Sequence, residues 1–542
     1  MLCQESFNSI DALCHLMPGV CRSQMRLFLA LTHLPRLREY LKVYKRCERL
    51  LLFNADCPTG RYALNMSVPS DYAVAEMLKM LDAWEASMAK EAGLQDRSQY
   101  GNWSSVRNCT YLNQSLLSLT DCLLPNHETL RLDFVTWRRP KDARALPADR
   151  WEGMMVHLSQ APLASKAKAQ ALRGVADRIF LTSMQCRQLL GMFEERSSRV
   201  EALCSLVLRL TDPQNMKMIA SRVEWDEWEE LRGRLGTLSL FPYIQPEQHQ
   251  FVLDTSRYED RIAASLVVRM NMKESKRLGN IRNPSLVLIG GNQFQFDRGV
   301  PAGWTNTSAI PQGTLRLQYM CAPEDHLIDF RYELLAQYGG WQADPKAKII
   351  WWAYLQAVPE PVVTFLIHVL RHFRDDLRAA FQMIDGQADT GNGKLTLREF
   401  KLAVASLGWK EFMDPERATQ IFRYLDPDRG GTISYAEWQV MEEFLKELQL
   451  SILELLQHVY CTFGSVEVAH DFLDKDGSSS VDEEEWAQAT KEMGYFGPSG
   501  IIYKYLCADQ VQGQTSGLTK ERWQKAVDIW TRRKIIFQRI LG

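Results

Sequence analysis

The sequence predicts a multidomain chain of mixed α and α+β class: duplicated small α+β units flanking an all-α domain, followed by an all-α C-terminal module of paired helix–loop–helix motifs. Three observations point there. Short segments recur in the same order within residues 1–340. The region between the copies reads as helical. Two twelve-residue acidic loops near the C-terminus are each bracketed by apolar residues at helical spacing. A chain of 542 residues has room for about three or four domains.

The expected organisation is an N-terminal helical segment (1–44), a first α+β repeat (45–138), an all-helical domain (148–236), a second α+β repeat (245–342), a helical connector (345–370) and the C-terminal module (371–535). The repeat rests on ordered matches. Tyr62-Ala-Leu-Asn-Met-Ser67 is similar to Phe251-Val-Leu-Asp-Thr-Ser256, and each precedes a helical stretch, 71–88 and 260–274. Gly101-Asn102 matches Gly279-Asn280. Thr129-Leu-Arg-Leu-Asp-Phe134 matches Thr314-Leu-Arg-Leu-Gln-Tyr319, and its alternation suits a half-buried strand. Each copy is expected to be a strand, a helix, then two or more strands.

Between the copies, Leu181-Thr-Ser-Met-Gln185, Leu189-Leu190, Phe193 and Asp212-Pro-Gln-Asn215 resemble a small helical domain family of unknown function, which transfers no activity. Thr182 or Ser183 is expected to cap a helix. Glu224-Trp-Asp-Glu-Trp-Glu-Glu230 reads as a helix with a tryptophan stripe against the core.

Composition excludes several classes. With 46% apolar and 24% charged residues and a net charge of −2, the chain has no basic field for nucleic acid or an anionic membrane. The twelve cysteines contain no CxxC pair and the ten histidines lack ligand spacing, so neither a zinc site nor a disulfide framework is expected. The apolar run Leu27-Phe-Leu-Ala-Leu31 is too short for a secretory signal and follows Arg22 and Arg26. The longest apolar region, 349–370, is broken by Pro359-Glu-Pro361, so no membrane span is expected. The expected location is cytoplasmic. No HExxH, GxSxG, GxxxxGK or GxGxxG motif and no kinase motif is present. The expectation is no enzyme, no catalytic residues and no organic cofactor.

The two loops are Asp426-Pro-Asp428-Arg-Gly430-Gly431-Thr432-Ile433-Ser434-Tyr-Ala-Glu437 and Asp474-Lys-Asp476-Gly-Ser478-Ser479-Ser480-Val481-Asp482-Glu-Glu-Glu485. Calcium takes about six to eight oxygen ligands, and a short loop supplies them only if alternate positions converge. The expected ligands of the first loop are Asp426, Asp428, the Thr432 carbonyl, Ser434 and Glu437, with a water filling the place at Gly430. Those of the second are Asp474, Asp476, Ser478, the Ser480 carbonyl, Asp482 and Glu485. Position 6 must turn with positive φ; Gly431 suits this, and Ser479 adopts it at a cost of about 1–2 kcal/mol.

These loops and their flanks resemble the EF-hand of the calmodulin superfamily. The flanks are Ala418, Ile421, Phe422 and Leu425, then Trp438, Met441 and Leu445, around the first loop. Around the second are Val466, Ala469 and Leu473, then Trp486, Ala489 and Met493, with His470 where the family prefers an apolar residue. The resemblance implies a module of paired EF-hands holding two calcium ions. A stretched motif, with Asp385, Asp389, Asn392 and Glu399, spans fifteen residues from Asp385 to Glu399. A fourth, before Trp523, Ala526, Val527 and Trp530, carries Val511 at position 1 and Arg522 at position 12. A guanidinium has N–H donors and no lone pair to offer a cation, so this motif is expected to bind nothing. Leu395 should face Ile433, and Val481 should face Leu518. The stripe Met441, Phe444, Leu445, Leu448, Ile452, Leu455, Leu456 and Val459 should be a buried helix face.

The functional expectation is calcium-responsive interaction or regulation, with an unidentified partner protein or a helix of the same chain as target. The alternatives are a calcium-independent scaffold that uses the motifs for packing, and a calcium-regulated enzyme with an unrecognised site in the repeats.

Overall fold

The structure is a computed structural model. It describes residues 57–91, 105–116, 119, 122–136, 143–176, 179–247, 249–274, 279–297, 299–321, 325–341, 349–350, 358–386, 392–409, 412–426, 430–508 and 517–541. Helix predominates, and the sheets are small and antiparallel. The chain divides into two units, Met1–Ala347 and Lys348–Gly542. The expected segment 1–44 lies outside the described residues.

In the first unit, β1 (Gly60–Asn65), α1 (Pro69–Glu91), β2 (Val106–Tyr111), β3 (Gln114–Ser115) and β4 (Thr129–Phe134) are followed by five main helices. These are α2 (Ala148–Gln160), α3 (Ser165–Val175), α4 (Ser183–Leu190), α5 (Arg196–Leu206) and α6 (Trp225–Leu235). Then come β5 (Gln250–Asp254), α7 (Tyr258–Glu274), β6 (Ile281–Leu288), β7 (Gln293–Gln295), β8 (Gly313–Tyr319) and α8 (Ile328–Leu334). One sheet has the order β1-β4-β2-β3 and the other β5-β8-β6-β7. The two copies thus share one topology.

They also share their polar joints. Asn65 N donates to Asp71 Oδ2 at 2.7 Å, and Asp254 N donates to Asp260 Oδ2 at 2.8 Å. A bulge breaks β2 at Asn108 (φ 49°) and β6 at Asn283 (φ 47°), where asparagine tolerates the left-handed region. Ser105 N donates to Asp82, and Asn280 N donates to Asn271. The structure therefore aligns Asn280 with Ser105. The expected match of Gly279-Asn280 to Gly101-Asn102 is displaced, and Gly101-Asn102 lies outside the described residues. Asp82 and Ser105 are 23 residues apart and Asn271 and Asn280 only 9, so the connection between helix and strand differs in length and a short glycine–asparagine match there falls out of register.

In the helical region Thr182 is the cap of α4, in a reciprocal box with Gln185. Arg199 Nε and Glu227 Oε1 pair at 2.7 Å, both nearly fully buried. Asp133 on β4 accepts from Arg61, Asn108 and Arg234, tying the first sheet to α6. The expected tryptophan stripe of α6 divides. Trp225 is 51% exposed, Trp228 is half-buried beside Leu203, Leu231 and Leu235, and the buried face is Glu227, Leu231, Arg234 and Leu235.

The second unit contains α9 (Glu360–Phe373), α10 (Leu377–Gly386), β9 (Lys394–Thr396), α11 (Leu397–Ser406), α12 (Pro415–Leu425), β10 (Thr432–Ser434), α13 (Tyr435–Trp438) and α14 (Val440–Phe463). It continues with α15 (Ala469–Leu473), β11 (Ser480–Val481), α16 (Glu483–Glu492), α17 (Ser499–Cys507), β12 (Leu518–Thr519), α18 (Lys520–Thr531) and α19 (Arg533–Leu541). β10 pairs with β9 and β11 with β12. One apolar core runs through the unit. Its centre includes Phe365, Phe400, Phe412 and Trp438. The Trp438 indole donates to the Leu377 carbonyl at 2.9 Å, so a large buried ring keeps its polar atom satisfied. The segment set apart as a connector, 345–370, instead supplies Val362, Phe365, Leu366 and Val369 to this core. All eight members of the stripe along α14 are buried.

One acid-sensitive point stands out in the first unit. His249 packs edge-on against Phe251 with ring centroids 4.6 Å apart. Burial, then the charges of Arg232 and Lys217, hold its imidazole down to about 4. The unfolded chain takes up that proton as pH falls through about 6.5, while the folded chain stays neutral to about 4, so stability is lost across this window on acidification. Asp212, pushed up to about 6 by burial, acts in the opposite sense. Comparing wild type with His249→Phe cancels that second effect. We predict that the variant's advantage in urea-unfolding free energy grows between pH 7 and pH 4. The ring keeps some solvent contact, so the growth stays below the about 3 kcal/mol that the full shift implies. A pH-independent difference would contradict this.

Candidate metal centre

Each loop of the second unit is held at three points. At its start, the first aspartate accepts the backbone N–H of the residue that turns left-handed. Asp426 Oδ2 accepts from Gly431 N at 3.0 Å, and its Oδ1 from Gly430 N at 2.9 Å. Asp474 Oδ2 accepts from Ser479 N at 2.9 Å. Gly431 has φ 80° and Ser479 φ 68°, so serine takes the strained conformation expected of it. In the middle, Ile433 pairs with Leu395 and Val481 with Leu518, the partners expected from the sequence, and all four are fully buried. At the end, the ninth residue caps the outgoing helix and the twelfth answers it. Ser434 N and Oγ donate to Glu437 Oε2 at 2.6 and 2.7 Å, and Asp482 N donates to Glu485 Oε2 at 3.0 Å.

In the second loop carboxylate oxygens of Asp474, Asp476 and Glu485 all lie within 4.8 Å of one another. Asp474 Oδ1 is buried and has no hydrogen-bond partner. Asp476 accepts from Ser478 N at 2.8 Å, and the Ser478 amide and hydroxyl hold its carboxyl below the usual carboxylate range. Two unit charges at about 4 Å repel by about 1 kcal/mol even in bulk water. A divalent ion at the centre of the three carboxylates would relieve this repulsion. The Ser478 hydroxyl donates to the Ser480 carbonyl at 2.9 Å, so two of the expected ligands are bonded to each other in this arrangement. Asp482 caps α16, its Oδ1 accepting from Glu485 N at 2.8 Å.

In the first loop the structure places Asp426, Gly430, Thr432, Ser434 and Glu437 as described. Asp428 lies outside the described residues. Asp426 is 6% exposed, the most buried of the expected ligands among the described residues.

The two degenerate motifs are informative. In the stretched one, Asp385 Oδ2 accepts from Gly393 N at 2.9 Å, and Gly393 has φ 76°. Glu399 Oε2 accepts from Thr396 N at 2.7 Å. These are the same two closures seen in the complete loops, so the three extra residues fall between Asp385 and Gly393. Asp389 is in that stretch and lies outside the described residues. In the fourth motif Arg522 Nη1 donates to the Gly517 carbonyl at 2.8 Å. Gly517 is the seventh position, whose carbonyl is a ligand in a working loop. The guanidinium thus takes the carbonyl a metal would take. His470 is 2% exposed, and its Nε2 meets the Leu518 carbonyl at 3.2 Å, which accounts for a polar residue on an apolar face. Sequence spacing did not expose these roles of Gly393, Gly517 and His470.

Among the described residues one other group of possible ligands converges: Glu247, Cys321 and His326. Cys321 and His326 stand five residues apart, a spacing that could have drawn notice, while Glu247 comes from a remote segment that only the fold brings to them. Comparison of the chain with protein-family models, with curated proteins and with solved structures finds no match.

The left-handed turn at Ser479 gives a direct check. Glycine removes the steric penalty but gains freedom in the unfolded chain, and the two effects partly cancel. Ser479→Gly should raise the urea-unfolding stability of the calcium-free chain by up to about 1 kcal/mol. A loss of stability would show that the serine side chain is needed at this turn.

Proposed function

We propose that the second unit binds calcium at two loops, 426–437 and 474–485, each paired through a short β-bridge with a degenerate partner, in the manner of the EF-hand superfamily. The observation that carries this reading is the convergence of Asp474, Asp476 and Glu485 around an unpartnered Asp474 oxygen. Ligation at the first loop is supported by the same closures at Asp426 and Glu437. The donors are all hard oxygens, which suits calcium rather than a thiophilic metal.

On this reading the ion stabilises the bound arrangement by RT ln(1 + [Ca]/Kd), about 2.7 kcal/mol at a hundredfold excess over Kd. Its function is calcium-responsive interaction or regulation. The apolar face of α14 is buried in the arrangement described. A partner helix, from another protein or from this chain, therefore gains access only if the helix pairs open. None of the described helices is long and apolar enough to cross a membrane, so the response is not attributed to a helical span.

A second reading draws on Arg522 and the stretched Asp385 loop: the motifs serve as packing modules around the core of the unit and take no ion. Calorimetric titration of the full chain separates the two. Calcium binding predicts two sites. Glu437→Gln should weaken one and Glu485→Gln the other, each by about 10- to 150-fold if a contact of about 1.5–3 kcal/mol is lost. Absence of heat and of any change in thermal midpoint at millimolar calcium would leave only the packing reading.

A further inference from the structure

The first unit holds a second group of possible metal ligands with a different chemistry. Glu247 forms a single bridge to Tyr319 at the end of β8. Cys321 lies just past that strand, and His326 just before α8. Three segments therefore bring a carboxylate oxygen, a thiol sulfur and an imidazole nitrogen within 4.8 Å of one another. Glu247 Oε1 lies 3.0 Å from His326 Nε2 and 2.6 Å from Arg331 Nη2. The other oxygen, Glu247 Oε2, is buried and has no hydrogen-bond partner.

Arg331 does not use up the charge of the cluster. It is fully buried and is matched to Glu274 by two bonds, Nε to Oε1 at 2.7 Å and Nη2 to Oε2 at 2.8 Å, and its Nη1 donates to the Ile244 carbonyl. Glu274 also accepts from the Tyr319 hydroxyl at 2.7 Å and from Leu327 N at 3.0 Å. Glu247 is thus oriented by Arg331 through one oxygen, as ligating carboxylates are oriented by neighbours that do not themselves touch the metal.

We propose that Glu247, Cys321 and His326 form a zinc-binding site, with a fourth position left to water. A thiolate and an imidazole select a borderline metal over calcium or magnesium. Zinc–ligand distances of about 2.0–2.3 Å put tetrahedral ligand atoms about 3.3–3.8 Å apart, so the group closes on the ion with side-chain shifts of about 1 Å. A cysteine ligates as the thiolate. Binding forms the Zn–S bond, breaks the S–H bond and releases one proton to solvent, so affinity rises with pH.

The first repeat lacks the site. Met320 N donates to Asn280 O as Val135 N donates to Ser105 O, so Cys321 corresponds to Thr136. Thr136 Oγ1 donates instead to Glu85, the counterpart of Glu274. The duplication kept the buried glutamate and diverged at the residue that supplies the sulfur.

The test uses the full chain, saturated with calcium so that zinc does not occupy the acidic loops. Wild type, exposed to micromolar zinc and desalted, should retain one equivalent by elemental analysis. Cys321→Ser and His326→Gln should each lower affinity, measured against a chromophoric chelator, by about 10- to 100-fold or more, with the far-UV spectrum in EDTA unchanged. Should a variant fail to fold, cobalt added to wild type gives the answer alone, because thiolate ligation produces a sulfur-to-cobalt charge-transfer band. The proposal is overturned if wild type retains no zinc, if Cys321→Ser retains the same equivalent with the same affinity, or if cobalt shows no thiolate band.

Discussion

Three aspartates close three turns in the second unit, and the geometry of its loops depends on that closure. Asp385, Asp426 and Asp474 each accept the N–H of a residue with positive φ, Gly393, Gly431 and Ser479. A charge-assisted bond from backbone to carboxylate is worth more than a neutral one, and here it fixes the point at which the chain reverses. Once the turn is fixed, the next residues fall into the short β-bridge, and the glutamate at the loop's end reaches back to cap its own helix. The groups that shape the loop are the groups that would ligate the ion. On the proposed reading, structure and binding would draw on one set of carboxylates, whose mutual repulsion a cation would relieve.

The bridges make each loop answer to its neighbour. Ile433 and Leu395, and likewise Val481 and Leu518, are fully buried partners, so neither loop of a pair can shift without disturbing the other. In each pair the partner is altered in its own way. The stretched loop keeps both closures and takes its three extra residues between them. The fourth loop places Arg522 on the carbonyl of Gly517 and supplies its own positive charge. The core absorbs both changes, because the helices around them still present Phe400, Trp438, Trp486 and Trp523 inward.

How much of this the sequence revealed follows the range of the contacts. The loop geometry was legible because turn, bridge and cap fall within twelve residues. The register Ile433–Leu395 and Val481–Leu518 was legible because position 8 is apolar in every motif. The repeat was legible in its strands, yet its middle match was displaced, since the connection from Asp82 to Ser105 is longer than that from Asn271 to Asn280 and no sequence pattern fixes where such a length change falls. Trp225, expected in the core, is exposed, while Glu227 on the same helix is buried against Arg199, a long-range pairing that periodicity along the chain does not encode. Of Glu247, Cys321 and His326, the last two are neighbours in sequence, but the carboxylate that completes the group comes from a remote segment and only tertiary packing brings it there.

The most direct measurement is a crystal structure of the full chain grown in millimolar calcium. Calcium binding predicts a strong peak inside the 474–485 loop with oxygens of Asp474, Asp476 and Glu485 at about 2.3–2.6 Å, and a second inside 426–437. Density holding only water at both places, with the Ser478 hydroxyl still bonded to the Ser480 carbonyl, would contradict it.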